Sequence, residues 1–283
     1  MEKHESIFLK KSFVVITGSS RGLGKSMALQ FGGKFPPDSV LVLMARNVEA
    51  LESVRTDLIE LVPESTVLVK QYDQGNTDIA YFDGIFDNLL AENKLSKDDF
   101  DQVVVVHNCA TTGDNVKTAL QLCDANHVRS YYDINLVGMI LLNTSFFTTF
   151  SDSAKSRVVI NITSGASQLP APSLHLYCAG KAARDMFFRV LATEEPSIRI
   201  LTYAPGAVDT EMLRDLETNA SSAAFRKVLN DLRKDDKLKT SAEAVTDLIY
   251  VLEDNTFDNA VFVNNYEQTA KPYIEETLFS NKI

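Results

Sequence analysis

Short apolar runs recur along the chain, and stretches of helical length follow most of them. The runs are rich in Val and Ile and nearly continuous rather than alternating, which is typical of strands buried on both faces of a parallel sheet. The predicted strands are Phe13–Thr17, Val40–Ala45, Thr66–Tyr72, Val103–His107, Arg157–Ile162, Ile198–Tyr203 and Ala260–Val263. The predicted helices are Gly22–Gly33, Val48–Val62, Ile79–Asn93, Asp124–Phe150, Leu174–Thr193 and Ala242–Glu253. This alternation predicts an α/β fold with right-handed βαβ units, in which helices cover both faces of a doubly wound, seven-stranded parallel sheet.

The alternation runs through the whole chain, so we expect residues 1–283 to form a single domain. No Gly/Ser-rich linker, charge block or internal repeat marks a boundary. Residues 207–240 interrupt the alternation with a polar, helix-prone segment after the sixth strand. Ligands bind outside the carboxyl ends of the strands in such sheets, so this segment is a candidate lid over a substrate. Residues 268–283 show neither pattern and form a predicted C-terminal tail.

Composition and charge narrow the class of protein. The chain is 45% hydrophobic and 23% charged, as ordinary soluble globular proteins are. Its formal net charge of −10 argues against binding to nucleic acid or to an anionic membrane, although a few arginines can still hold a small anion. Three cysteines without a C-x-x-C pair favour reduced thiols and a cytoplasmic location. The N-terminus is too polar for a signal peptide, no stretch is long enough to span a membrane, and the histidines lack metal-binding spacing.

A glycine-rich loop joins the first strand to the first helix. It reads Thr17-Gly18-Ser19-Ser20-Arg21-Gly22-Leu23-Gly24, a G-x-x-x-G-x-G spacing. Glycines alone are a weak signal, because turns collect them. Between a buried strand and a helix they predict a nucleotide site, because the backbone can then approach a pyrophosphate at the positive end of the helix.

The end of the second strand indicates which dinucleotide is bound. It reads Met44-Ala45-Arg46-Asn47, and an NAD site of this type has an acidic residue here for the adenosine 2′-hydroxyl. Arg46, Arg21 and the Ser19 hydroxyl could instead hold a 2′-phosphate, so we expect NADPH. The alternative is that both arginines are ordinary surface residues. Asp73, after the third strand, either caps the adenine edge or is a turn residue.

Four polar side chains form a candidate catalytic set. Tyr177 and Lys181 are four residues apart, which places them on one face of a helix. We expect the ammonium and an oxidised nicotinamide to lower the pKa of Tyr177, so that it exchanges a proton with a carbonyl or alcohol near neutrality. Ser164 could orient the same carbonyl oxygen, and Asn135 could hold a water and extend a proton path from Lys181. Each residue alone has an ordinary explanation, but their order after the glycine loop favours one active site.

Together these motifs resemble those of the short-chain dehydrogenase/reductase family, over most of the chain. The resemblance implies a Rossmann-type fold and NADPH-dependent carbonyl reduction by the four residues just named. The family's Pro-Gly stretch after the sixth strand contacts the nicotinamide, and its counterpart here contains Pro205, Gly206, Val208, Thr210 and Met212. One motif differs from the family's pattern. The family has N-N-A-G after the fourth strand, where it steadies the sheet and lines the adenosine side. This chain has His107-Asn108-Cys109-Ala110 there, so only Asn108 matches.

Within the family, the chain resembles the members that reduce side-chain ketones of a pterin, the last stage of tetrahydrobiopterin synthesis. This resemblance implies a homodimer formed through the helices at 124–150 and 174–193. Those members hold the pterin with an Asp near the C-terminus, where this chain has Asn264, so Ser164, Tyr177 and Asn264 are the expected substrate contacts. Two other hypotheses remain: a general NADPH-dependent carbonyl or diketone reductase, and a catalytically idle nucleotide-sensing protein. The complete catalytic set counts against the second.

Overall fold

The strands predicted from the apolar runs all form, and they make one parallel sheet in a computed structural model that describes residues 4–151 and 156–264. The strands are β1 (Ser12–Thr17), β2 (Val40–Ala45), β3 (Thr66–Gln71), β4 (Gln102–His107), β5 (Ser156–Ile162), β6 (Ile198–Ala204) and β7 (Phe262–Asn264). Their order is β3-β2-β1-β4-β5-β6-β7, and every neighbouring pair is parallel. The strand order reverses between β1 and β4, and ligands bind outside the carboxyl ends of strands at such a point.

Helices cover both faces of the sheet and explain why the strands are apolar throughout. They are α1 (Gly22–Gly32), α2 (Val48–Leu61), α3 (Ile79–Phe82), α4 (Ile85–Glu92), α5 (Ala125–Tyr132), α6 (Gly138–Thr149), α7 (His175–Glu194), α8 (Glu211–Asn219), α9 (Ala223–Lys234) and α10 (Ser241–Asp254). In β1, Val14 and Ile16 join a core cluster with α1, α2 and α10, whereas Phe13 and Val15 join a second cluster with α4, α6 and α7. No helix in the described part of the chain is long and apolar enough to cross a membrane.

Three predicted elements differ from the observed ones by an internal break or by more than one residue at an end, whereas the others agree to within one residue. The helix predicted at 79–93 is divided by Gly84, which has a left-handed backbone with φ of +67°. The helix predicted at 124–150 contains a π-helical segment, Asp133–Val137, between α5 and α6. The last strand starts at Phe262 rather than Ala260, because Ala260 has a positive φ and donates its N–H to the Ile200 carbonyl at 2.9 Å.

The polar segment at 207–240 folds into α8 and α9, which pack as a third apolar cluster beside α7. Leu216, Phe225 and Leu232 are buried in this cluster, and Tyr177 is partly buried against it. Asp209 accepts hydrogen bonds from Arg233 at 2.8 Å and from Arg214 at 3.0 Å, and these keep the pKa of Asp209 well below its usual range. The segment therefore covers one side of the candidate catalytic helix. The predicted tail at 268–283 lies outside the described residues.

Candidate active site

The glycine loop has a backbone that only glycine adopts readily. Gly18 and Gly22 have φ angles of +68° and +54°. A Cβ at Gly24 would lie 2.1 Å from the Gly18 carbonyl oxygen, so any side chain there would collide with the loop. The Gly18 N–H donates to the Met44 carbonyl of β2 at 2.7 Å. The turn is thus folded closely onto the start of α1, as a pyrophosphate site at a helix N-terminus requires.

Asn108 holds this loop in place. Its side-chain amide donates to the carbonyls of Thr17 at 2.9 Å and Gly18 at 3.2 Å, and its backbone N–H donates to the Thr17 hydroxyl at 3.1 Å. His107, at the departing position of the motif, is fully buried and pairs with the Asn143 amide at 3.2 Å. Burial lowers the pKa of His107 to about 3, so its ring is neutral at pH 7.

The groups predicted to bind the adenosine end are Ser19, Arg46 and Arg21, and they differ in whether another residue already occupies them. The Ser19 hydroxyl is buried and has no hydrogen-bond partner within the described residues, so it is available to a ligand oxygen. Arg46 is exposed at the end of β2. Arg21 is also exposed, but it forms an ion pair with Glu211 of α8 that sequence reasoning missed. These groups and the closely folded glycine loop fit a dinucleotide phosphate.

Three other predicted cofactor contacts have local structural roles. The Asn47 side chain caps α2 by accepting the Ala50 N–H at 3.0 Å, and the Asp73 carboxylate accepts the Gly75 N–H at 3.0 Å in a turn. Leu23 packs against the sheet core. Asp73 therefore makes the turn interaction that was the alternative explanation for it, although its exposed carboxylate has further acceptor capacity.

The Pro-Gly stretch after β6 lies beside the glycine loop. The Cγ2 atom of Thr210 is the nearest atom to a Cβ built on Gly22, at 3.8 Å, and Gly206 has a φ of +87°. Val208 is buried and pairs with Lys239 in an isolated parallel bridge. The tertiary fold therefore brings together two predicted cofactor-binding segments that are far apart in sequence.

Met212 and Asn264 lie near this stretch. Met212 is partly buried in the first turn of α8. Asn264 is the last residue of β7, and it pairs with Ala204, which directly precedes Pro205. Asn264 is therefore at the carboxyl edge of the sheet, where ligands bind in such folds.

Tyr177, Lys181 and Ser164 meet at the carboxyl end of β5. The Lys181 ammonium donates to the Ile162 carbonyl at 2.7 Å and lies 5.5 Å from the centre of the Tyr177 ring. Hydrogen bonding by the Ser164 side chain acts to lower the pKa of Tyr177, which places the two hydroxyls on the same side of the site. Ser164 also accepts the Ala166 N–H at 3.2 Å, which fixes its side chain at the strand end. Tyr177 and Lys181 from α7 and Ser164 from the end of β5, three of the four predicted residues, are therefore in one place.

The pKa of Tyr177 moves in the opposite direction to the one expected from the sequence. Burial raises it to about 12, although the hydrogen bond to Ser164 and the Arg184 guanidinium both act to lower it. Burial also lowers the pKa of Lys181 well below its usual range, and the like charge of Arg184 adds to this effect. Among the protein's own groups, burial outweighs the nearby cations, so Tyr177 holds its proton at pH 7.

Asn135 sits within the π-helical segment, and two backbone groups hold its side-chain amide. Its Oδ1 atom accepts the Thr111 N–H at 2.9 Å, and its Nδ2 atom donates to the Tyr131 carbonyl at 2.9 Å. The Asn135 amide therefore ties its helix to the loop after β4. It shapes the floor of the site next to α7.

Sequence reasoning missed two buried side chains that organise this floor. The Gln74 amide donates to the carbonyls of Ile134 at 2.6 Å and Cys109 at 3.1 Å, and no motif signals it. Arg184 is completely buried. A signal for Arg184 did exist, because it lies three residues after Lys181, on the face of α7 that carries the catalytic pair.

Comparisons with known proteins agree with this geometry. The family model for short chain dehydrogenases matches residues 12–221. This protein belongs to the short-chain dehydrogenase/reductase family. It is an oxidoreductase with the Rossmann-type parallel sheet of that family.

Similar proteins of known name include a sepiapterin reductase from Bos taurus, 34% identical over 92% of this chain and 96% of its own. A benzil reductase from Bacillus subtilis, the (S)-benzoin-forming enzyme, is 29% identical over 70% of this chain and 75% of its own. Among solved structures, the KRED1-Pglu enzyme superposes with a TM-score of 0.74 and 26% identity, over 89% of this chain and all of that one. The chain is thus similar to sepiapterin reductase along nearly its whole length.

Proposed function

We propose that this protein is an NADPH-dependent reductase of side-chain ketones on a pterin, with Tyr177 as the proton donor. The observation that carries the proposal is the convergence of Tyr177, Ser164 and Lys181 in a chain that is similar to sepiapterin reductase along nearly its whole length. In tetrahydrobiopterin synthesis such a reaction is the last stage.

The arrangement of the three side chains suits the reduction of a carbonyl. NADPH, when bound, supplies the hydride. Tyr177 keeps its proton at neutral pH, since burial moves its pKa still further above the free value of about 10, and a neutral phenol is the form that can donate a proton to the ketone oxygen. Ser164, whose side chain acts on the pKa of the same phenol, can donate to that oxygen as well. Lys181, buried and anchored to Ile162, fixes a cation behind the phenol.

NADPH is proposed as the cofactor because arginines, and no acidic residue, stand at the end of β2 and in the glycine loop, and these can pair with a 2′-phosphate. Arg46 is exposed at the end of β2, next to the glycine loop, and no acidic residue takes its place. Arg21 can turn from Glu211 to the phosphate at small cost, since exposed ion pairs contribute little stability. The proposed contacts are Gly18, Ser19, Ser20, Arg21, Gly22, Leu23, Gly24, Arg46, Asn47, Asp73, Asn108, Tyr177, Lys181, Pro205, Gly206, Val208, Thr210 and Met212.

The proposed surroundings of the reaction follow the family. Residues 207–240 act as a lid, because α8 and α9 pack against Tyr177. The protein forms a cytoplasmic homodimer through α5, α6 and α7. The exposed Met186 and Val190 on the outer face of α7 support this interface, since their side chains are about half exposed in the single chain.

A second candidate function is a general carbonyl or diketone reductase. Two observations favour it. Asn264 stands where the pterin-reducing members have an Asp, and a neutral amide grips a pterin guanidino edge less well than a carboxylate. The chain is also similar to benzil reductase, and benzil is a diketone.

A substrate panel separates the two candidates. NADPH consumption is followed at 340 nm with sepiapterin, with diketones including benzil, and with simple aldehydes. We expect sepiapterin to give the highest kcat/KM. If diketones are reduced and sepiapterin is not, the pterin proposal is wrong and the general reductase replaces it. An absence of turnover with every carbonyl compound, with NADPH binding retained, would favour a nucleotide-sensing protein.

A further inference from the structure

Arg184 is one of the largest side chains that the described structure buries completely, and it lies next to the candidate catalytic pair. It sits on α7, one helical turn after Lys181 and two turns after Tyr177. A guanidinium loses a large hydration energy on burial, so this position needs strong compensation. Neither the glycine loop nor the Tyr-x-x-x-Lys motif accounts for it.

The compensation comes from three acceptors on two neighbouring segments. Nη2 of Arg184 donates to the His107 carbonyl at 2.8 Å, and Nη1 donates to the Cys109 carbonyl at 3.2 Å. Nε and Nη2 also reach the Oδ1 atom of Asn161 on β5 at 3.3 and 3.1 Å. The planar fork of an arginine can satisfy these acceptors together, whereas a lysine ammonium cannot span them.

The same two carbonyls flank Asn108, whose amide holds Thr17 and Gly18 of the glycine loop. Arg184 therefore connects the catalytic helix to the cofactor loop through a single short segment of backbone. This is the segment where the family's N-N-A-G motif is reduced to one matching residue, and the His107 side chain contacts Asn143 instead of the glycine loop. The guanidinium fixes the backbone from the opposite side.

Arg184 also sets the charge beneath the phenol. The titratable groups around it are Lys181, Tyr177 and Asp185 on α7, Tyr131 on α5, Tyr72 directly after β3, and His107 and Cys109 at the end of β4. His107 is neutral, so the charges are two cations and the single carboxylate of Asp185. Asp185 is itself held by the Asn161 amide at 3.0 Å. Arg184 favours the deprotonated forms of Tyr177 and Lys181, and Asp185 opposes it at both.

The geometry points to Arg184 as a positioning residue that couples the glycine loop to the catalytic pair, with Asp185 as its electrostatic counterweight. The part of this inference that concerns the pH dependence of the reaction rests on the proposed reductase function, and the part that concerns the glycine loop does not. Two consequences follow. The fork holds the cofactor loop, so its loss weakens NADPH binding. The charge holds the proton affinity of Tyr177 down, so its loss shifts the pH dependence of the reaction.

Three variants test the hydrogen-bonding geometry of the Arg184 guanidinium separately from its charge. Arg184→Lys keeps the charge and removes the fork, and Arg184→Gln removes the charge. Asp185→Asn removes the carboxylate but keeps an oxygen that can accept from Asn161. The kinetic readout is the pH profile of kcat for NADP+-dependent oxidation of the alcohol that the wild-type protein forms from its best ketone. In that direction Tyr177 must be deprotonated, and the positive charge of the oxidised nicotinamide lowers its pKa below the value set by the protein's own groups, so the rate rises through this apparent pKa.

We expect Arg184→Gln to move the midpoint of the profile up by about one pH unit and Asp185→Asn to move it down. Arg184→Lys should keep the midpoint but weaken NADPH binding about tenfold, measured by quenching of NADPH fluorescence. Midpoints that stay at the wild-type value, or that move in the same direction in Arg184→Gln and Asp185→Asn, overturn the electrostatic role. Unchanged NADPH affinity in Arg184→Lys overturns the coupling role.

Thermal unfolding of each variant controls for loss of the fold. If Arg184→Gln does not fold, Asp185→Asn still decides the electrostatic role, because it conserves shape and hydrogen bonding. A wild-type protein that binds NADPH but reduces no ketone refutes the proposed function. The affinity arm then still tests the coupling of Arg184 to the glycine loop.

Discussion

At the scale of single residues, burial against α8 and α9 raises the pKa of Tyr177 above its free value, and the spacing to Lys181 does not offset this. Tyr177→Phe keeps the ring and its packing and removes only the transferable proton. We expect ketone reduction to fall by about 10²- to 10⁴-fold, with the NADPH dissociation constant nearly unchanged. Lys181→Ala should impair both quantities. Steady-state kinetics with fluorescence titration checks this, and a Tyr177→Phe enzyme that keeps most of its turnover would refute the assignment.

Arg46 is expected to decide between the two nicotinamide cofactors. Arg46→Asp places a carboxylate where a 2′-phosphate would be, so NADPH binding should weaken and NADH binding should improve. The ratio of kcat/KM values for the two cofactors measures the change. Arg55→Asp, at a half-exposed position of α2 where Arg55 pairs with Glu52, is a control with the same charge change. Equal use of both cofactors by the wild-type protein would contradict the prediction.

His107 is expected to make folding sensitive to mild acid. Its pKa is lowered to about 3 in the folded state, chiefly by burial, against about 6.5 when unfolded. The unfolded chain therefore binds one more proton between these values, and stability is present above pH 6.5 and lost as pH falls towards 3.

This acid sensitivity can be measured by replacing His107 with asparagine. Between pH 7.5 and 5.5 the His107 contribution amounts to a loss of about 1.4 kcal/mol in the free energy of unfolding. His107→Asn should lose about that much less over the same interval, in urea titrations at the two pH values. Parallel losses in the two proteins would show that His107 is not the group responsible.

At the scale of elements, the contact between α5 and α7 is closer than either helix pattern indicates. A Cβ at Gly180 would lie 2.6 Å from the Tyr131 hydroxyl oxygen, and Gly180 stands between Tyr177 and Lys181. The Tyr131 hydroxyl is buried without a hydrogen-bond partner in the described part of the chain. The absence of a side chain at Gly180 thus sets how closely the Asn135 segment approaches the catalytic helix.

Gly180→Ala tests this contact. Alanine favours a helix over glycine by about 1 kcal/mol, so an uncrowded site would be stabilised. We expect a lower melting temperature instead, together with reduced kcat, because the clash separates α5 from α7. Tyr131→Phe removes the nearest atom and should restore part of both losses in the double variant, while changing little alone. A Gly180→Ala protein that melts at a higher temperature would contradict the prediction.

The strands were predictable because both of their faces are covered, which leaves an unbroken apolar signature. The breaks within the helices could not be predicted in this way. Gly84 and the π-helical segment at Asp133–Val137 depend on what the helices pack against, and residue spacing alone did not reveal them.

At the scale of the whole molecule, the site is assembled from segments at both ends of the chain. The glycine loop follows β1, and Asn264 ends β7 beside Ala204 and the Pro205-Gly206 turn. Asn264→Asp should tighten sepiapterin binding about tenfold, equivalent to ~1–2 kcal/mol, because a carboxylate accepts two charge-assisted hydrogen bonds from the guanidino edge of a pterin. The KM for a small diketone should not change. An equal effect on both substrates would show that Asn264 does not contact the pterin.

Sequence patterns alone were enough to predict the parallel α/β sheet, the glycine loop, and the candidate set of Tyr177, Lys181 and Ser164. Each of these depends on short-range spacing or on continuous hydrophobicity. Only the tertiary structure decided the rest. The pKa of Tyr177 depends on what buries it, the amide of Asn135 on a loop more than twenty residues away, and the role of Arg184 on carbonyls at the end of another strand. Burial and long-range hydrogen bonds are properties of the packed chain, and no local pattern of residues encodes them.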